Sequence, residues 1–113
     1  MNQFTVLLFT RFGLGEGPSV LQQSLAEKFL SLTLLSNELP AKILFYTNGV
    51  HLVCEGSPVL EQLKEMQTRG VELIVCKTCT DTYGKTDKVQ VGIIGGMPDI
   101  LEALQKAEKV ISL

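Results

Sequence analysis

The residues with the most chemistry to offer are Cys76 and Cys79, two residues apart in Cys76-Lys77-Thr78-Cys79. A thiolate can act as a nucleophile, a sulfur carrier or a metal ligand. The spacing is compatible with four situations. One thiol could attack and carry a sulfane sulfur as a persulfide. The pair could cycle between dithiol and disulfide, as Cys-x-x-Cys after a strand often does. Both could bind zinc, with His51 and Cys54 completing a Cys₃His set. Both could also be small buried apolar side chains without chemistry. A helical turn starting at the pair would aim its unsatisfied N–H groups at sulfur, and Lys77 and Lys85 would add positive charge. Both effects favour a thiolate, so the expected pKa shift is downward.

Other residues could serve those sulfurs. Gly13, Gly15 and Gly17 precede Pro18, which suits the first turn of a helix. The pattern is not G-x-G-x-x-G, and Thr47-Asn48 stands where a ribose-binding acid would be needed, so dinucleotide binding is not expected. An anion or persulfide pocket at that helix start remains open. Asn48 could donate to a sulfur anion, although Asn48-Gly49 also reads as a turn. His51, the only histidine, could shuttle a proton or simply be solvated. Asp81 reads best as a helix cap.

These residues need elements to position them. Residues 4–10 form an apolar run without alternation, as in a strand buried on both faces. A long helix follows Pro18. Its wide apolar stripe is Leu21, Leu25, Phe29 and Leu32 with Ala26 and Leu30 beside them; the first four are read as core with part of the stripe free for an oligomer face, and Pro40 ends the segment. Residues 42–47 form a second strand and 48–56 a loop. Ser57-Pro58 starts a helix that buries Val59, Leu60, Leu63 and Met66 and ends at Gly70. Residues 71–75 form a third strand that runs into Cys76. Thr80 to Tyr83 reads as a short helical turn, residues 89–94 as a fourth strand, and 109–113 as a short fifth. Pro98 opens a helix burying Ile100, Leu101 and Leu104.

Alternating strands and helices of this kind predict one α/β domain, residues 1–113, with a largely parallel sheet. The strand ends share one rim, where ligands of open α/β sheets bind. Residues 11–17, 48–56 and 76–84 therefore meet there. The composition agrees with a packed domain, being 45% hydrophobic and 19% charged. A net charge of −2 with interspersed signs argues weakly against nucleic-acid binding, which usually needs a basic face, so no nucleic-acid partner is expected. No apolar run is long enough to span a membrane. The start Met1-Asn2-Gln3-Phe4 lacks a secretory signal pattern, and three cysteines make no disulfide framework, so a cytoplasmic protein is expected.

The run Cys76-Lys77-Thr78-Cys79-Thr80-Asp81-Thr82-Tyr83-Gly84, followed by Asp87-Lys88-Val89-Gln90-Val91-Gly92, resembles the DsrE/DsrF/TusD-like family. Within it, the run is most similar to the C-terminal domain of YedF-type sulfurtransferase-like selenium metabolism proteins. Gly15-Glu16-Gly17, Leu39-Pro40, Asn48-Gly49-Val50 and Glu55-Gly56-Ser57 extend the resemblance over nearly the whole chain. It departs at Lys77, where the motif has glycine, and at Cys54, where threonine is expected. The resemblance implies a three-layer α/β/α domain with a five-stranded parallel sheet. It implies a sulfur-relay role in which Cys76 carries sulfane sulfur as a persulfide and Cys79 resolves or tunes it. Gly15, Gly17, Asn48, Gly49, Lys77 and Thr78 are the substrate-binding positions expected around them. No metal or cofactor is expected. Sulfur donor and acceptor proteins are implied, a separate TusA-like protein being one candidate donor, as is assembly into a homo-oligomer. The other readings to weigh are a non-catalytic interaction or small-ligand-binding module, a zinc site and a dithiol redox protein.

Overall fold

The computed structural model describes Met1 and residues 4–113; Asn2 and Gln3, part of the start read for a targeting signal, lie outside the described residues. Five strands form one parallel sheet: β1 (Thr5–Phe9), β2 (Lys42–Phe45), β3 (Glu72–Cys76), β4 (Ile93–Gly95) and β5 (Lys109–Ser112), in the order β4-β3-β2-β1-β5. The central strands are apolar without alternation because both faces are covered. β1 is buried throughout, and β3 is buried from Leu73 to Cys76. Phe9 and Phe45, at the paired ends of β1 and β2, stack with ring centroids 5.7 Å apart. Burying a side chain of this size contributes about 1.5–3 kcal/mol.

Among the described residues, four α-helices pack with the sheet: α1 (Ser19–Ser36), α2 (Leu60–Thr68), α3 (Lys77–Thr82) and α4 (Met97–Lys106). The sheet grows in one direction from β1 to β4 and then jumps back across β1 to β5. With right-handed crossovers, α1 and α2 lie together on one face and α4 on the other. The three-layer α/β/α architecture is therefore as expected. Among the described residues, no helix is long and apolar enough to cross a membrane.

Several local expectations change. In α1 the buried residues are Ala26, Leu30 and Thr33. Leu21, Leu25 and Leu32 are exposed, and Phe29 is half-buried. The helix is apolar on two opposite sides, and the side carrying small Ala26 is the one laid on the sheet. Leu101 of α4 is likewise exposed, while Ile100 and Ala103 are buried. The loop after β2 is mostly a 3₁₀ segment, Thr47–Val53. The helix expected at Pro58 starts at Leu60, although Ser57 Oγ still accepts from the Val59 N–H at 3.2 Å. The helical turn expected at Thr80 begins earlier, at Lys77, so Cys79 lies within it. The fourth strand shrinks to three residues. Val89, read as part of it, instead pairs antiparallel with Cys54, which ties the second rim loop to the segment that leads into β4.

Candidate functional site

The reversal of sheet growth falls between β1 and β5, where an open α/β sheet usually offers its ligand crevice. Here Arg11 spans that point toward the Leu113 carbonyl at 3.5 Å. The cysteines lie elsewhere, at the C-terminal end of β3. Cys76 ends the strand and caps α3, and Cys79 sits in the first turn. All three cysteines are free thiols. Their exposures differ in a way the spacing alone does not reveal. Cys76 is 1% exposed and Cys54 0%, whereas Cys79 is half-buried. Cys79 lines a small cavity of about 160 Å³ with Thr47, Thr78, Thr82 and Tyr83. The buried Cys76 thiol does not line it, but is near enough to affect the titration of Cys79.

Thr47 is a site residue that the sequence reading passed over as the end of a strand. Its backbone N–H donates to Cys79 Sγ at 3.1 Å. It reaches that position through a left-handed backbone, φ 47°. A β-branched residue rarely adopts this conformation, which costs on the order of 1–3 kcal/mol and tends to persist where a site requires it. The Thr47 hydroxyl donates to the Thr10 carbonyl at 3.3 Å, tying the ends of β1 and β2 together beside the thiol. The donor is a main-chain group, so side-chain types gave no signal for it.

The electrostatics reverse one expectation. Burial pushes the Cys79 thiol above its ordinary value; the Thr47 N–H opposes that shift and Cys76 adds to it. Lys77, expected to lower it, donates to Asp81 at 2.8 Å instead. With six residues, α3 is also too short for a full dipole. A raised pKa means less thiolate at neutral pH. The alkylation rate of Cys79 is therefore expected to climb with pH through a midpoint above the ordinary cysteine value of about 8.5. Iodoacetamide kinetics followed by peptide mass spectrometry checks this, and a midpoint below that value would contradict it.

Beyond Cys79 lies a second group of residues. The Tyr83 hydroxyl donates to Asn48 Oδ1 at 2.6 Å. The His51 ring lies between Phe12 and Tyr83, at centroid distances of 5.4 and 4.5 Å. Lys85 Nζ donates to His51 Nδ1 at 2.9 Å, which places the ring proton on Nε2. Burial, and then the Lys85 charge, hold the imidazole below its ordinary pKa. Cys54 is pushed up by burial. Asp81 is held low by Lys77 and Thr86, the residues it bonds, so it braces α3. Among the described residues, no three or more His, Cys, Asp or Glu side chains are placed to hold a metal ion, which leaves the zinc reading without support.

The expected substrate-binding positions separate. Thr78 lines the cavity of Cys79, and Asn48 orients its Tyr83 wall. Lys77 is committed to Asp81. The Gly15 carbonyl accepts from Gln22 Nε2 at 2.6 Å, and a Cβ on Gly17 would only touch Leu21 at 3.6 Å. That loop is therefore pinned to α1. Gly49 is buried, and a Cβ there would lie 1.9 Å from the Phe9 carbonyl oxygen. Close packing, rather than ligand access, explains this glycine. Tyr83 belongs to the site without having been expected there, and Lys85 had been noted only for its charge.

The fold is shared with solved structures. The YchN protein from E. coli matches with a TM-score of 0.68 and 19% identity, covering 96% of this chain and 98% of that one. MTH1491, a protein of unknown function from Methanobacterium thermoautotrophicum, gives 0.64 and 17%, with 96% and 98% covered. BT1422, a conserved protein of unknown function from Bacteroides thetaiotaomicron, gives 0.69 and 15%, with 96% and 94% covered. No match is found among curated proteins. A family model, DsrE/DsrF-like family, matches residues 15–113 and takes in Gly15, Gly17, the Cys76–Cys79 pair and every strand but β1. The chain therefore belongs to the DsrE/DsrF-like family.

Proposed function

We propose that the protein handles sulfur, taking up sulfane sulfur as a persulfide on the Cys76–Cys79 pair, with Cys79 as the thiol that meets the donor. The observation carrying this reading is the half-buried Cys79 Sγ in its own cavity, bonded by the Thr47 N–H. That donor suits a sulfur anion. It moves the loading role from Cys76, where the resemblance put it, to Cys79, because Cys76 is 1% exposed. Cys76 then acts on the loaded sulfur. Its thiol attacks the Cys79 side of the persulfide, and Cys79–S–SH with Cys76–SH gives the Cys76–Cys79 disulfide and H₂S. The test is mass spectrometry of the purified protein after incubation with a persulfide donor. One sulfur mapped to Cys79, or the disulfide with released sulfide, supports the reading; no change in mass sinks it. The same assay with a selenium donor tests the link to selenium metabolism.

A second reading draws on the same site. Cys76 is buried and the Cys79 thiol is raised, as suits a non-catalytic binding module whose cysteines are spectators. Under that reading, Cys79 reacts no faster with a persulfide than a small-molecule thiol of equal pKa.

Self-assembly is part of the proposal. The outer side of α1 carries Leu32, 63% exposed, and Leu35, 81% exposed, with Leu21 and Leu25 in the same row. A second copy of the chain would cover that row. Leu32→Glu is expected to dissociate the oligomer while shifting monomer stability by no more than about 0.5 kcal/mol. Sedimentation velocity reads the first effect and thermal unfolding of the dissociated chain the second. A wild-type chain that sediments as a monomer would contradict the proposal.

A further inference from the structure

Lys85 is half-buried, and among the described residues the one hydrogen-bond partner of its Nζ is the neutral His51 ring. Lys42 pairs with Glu72, Lys77 with Asp81, Lys88 with Glu55 and Lys106 with Glu102, whereas Lys28, Lys64 and Lys109, which show no such pair among the described residues, are exposed to water. Among the described residues, Lys85 has no carboxylate within 4.0 Å. A partly desolvated ammonium facing an imidazole is under-compensated, and an anion would complete it. The ammonium is also well held, because His51 is clamped between Phe12 and Tyr83.

The space in front of Lys85 suits a small molecule. A shallow cavity of about 500 Å³ is lined by Glu55, Gly56, Tyr83, Gly84, Lys85 and Lys88. That volume is within the range of about 300–1,000 Å³ for small-ligand sites. Lys88 and Glu55 offset one another, so Lys85 supplies the uncompensated charge. Tyr83 is also a wall of the Cys79 cavity. The cavity of Lys85 and that of the thiol therefore share a wall.

Building on the sulfur-carrier reading above, we propose that Lys85 selects the donor: a small persulfide whose carboxylate binds Lys85 while its sulfane sulfur passes Tyr83 to reach Cys79. The Cys79 thiolate attacks that sulfur, the donor S–S bond breaks, and R–S–SH with Cys79–S⁻ gives Cys79–S–SH and R–S⁻. The proton stays on the transferred sulfur, and the electron pair of the broken bond leaves on the donor thiolate. Lys85 binds and positions the donor without taking part in the transfer.

The test uses the full chain and a matched pair of donors, 3-mercaptopropionate persulfide and its methyl ester persulfide. Sulfur addition to Cys79 is timed by mass spectrometry. Lys85→Gln is expected to slow loading from the acid about tenfold, the scale of a lost hydrogen bond to a charged group, and to leave loading from the ester within about twofold. Lys85→Arg should restore most of the acid rate. Equal slowing with both donors, or none with either, overturns the proposal. If neither donor loads wild-type Cys79, the sulfur-carrier reading fails on its own. The anion site is then judged with 3-(methylthio)propionate, which cannot transfer sulfur. A saturable shift of the single histidine's ring signals by NMR, lost in Lys85→Gln, supports the site, and its absence in wild type refutes it.

Discussion

Replacing Cys79 with serine is expected to reduce sulfur loading to the level of the reagent blank, while Cys76→Ala still takes one sulfur on Cys79. Serine keeps an acceptor for the Thr47 N–H, so the fold should lose no more than about 1 kcal/mol. The nucleophile, however, is gone. Cys76→Ala removes the buried thiol without leaving an unpartnered hydroxyl, at a cost of about 1 kcal/mol for the small void. With no second thiol to attack it, the persulfide on Cys79 should outlive that of the wild type, and no sulfide should be released. Intact-mass time courses with a sulfide assay separate these outcomes. A Cys76→Ala protein that cannot be loaded, beside a Cys79→Ser protein that can, would restore Cys76 as the carrier and refute the order proposed here.

That order could not be reached from spacing. Cys-x-x-Cys after an apolar strand placed both sulfurs on the rim correctly, because strand ends and helix starts leave a strong pattern of apolar residues and breakers. The pattern cannot tell which sulfur faces out. Cys76 turns inward as the last residue of a strand covered on both faces, and Cys79 emerges one helical turn later. Thr47 was illegible for another reason: its contribution is a backbone N–H presented by a positive φ, and the threonine side chain does not advertise it. The α1 stripe is too wide as read from the sequence: Ala26 and Leu30 belong to the core, but Leu21, Leu25 and Leu32 repeat at helical spacing just as well. Periodicity reports that a face exists, and packing decides which one is used. Lys85 and Tyr83 gain their role from a loop that folds back over α3, through contacts with Asn48 and His51 more than thirty residues away in sequence.

Gly49→Ala is expected to be the most damaging single substitution to the fold among those considered. The 3₁₀ segment Thr47–Val53 crosses the end of β1 so closely that a Cβ would sit 1.9 Å from the Phe9 carbonyl oxygen and 2.5 Å from its carbon. Both obstacles are backbone, and Phe9 is fixed by its stack on Phe45 and by pairing with β2. No rotamer change relieves such a clash, so the segment must lift away. Overpacking commonly costs about 1–3 kcal/mol; a backbone clash in a buried segment should reach or pass the upper end. For a domain of this size, that lowers the melting temperature by on the order of 10 °C or more. The site should suffer with the fold. Lifting the segment draws the Thr47 N–H from Cys79 and moves His51 and Asn48, which hold Lys85 and Tyr83. Thermal unfolding measures the first effect, and the pH midpoint of Cys79 alkylation the second. The midpoint should move up, because the lost N–H bond was the one contribution favouring the thiolate. A Gly49→Ala protein with wild-type stability and an unchanged midpoint would show that the close approach to β1 holds neither the fold nor the site.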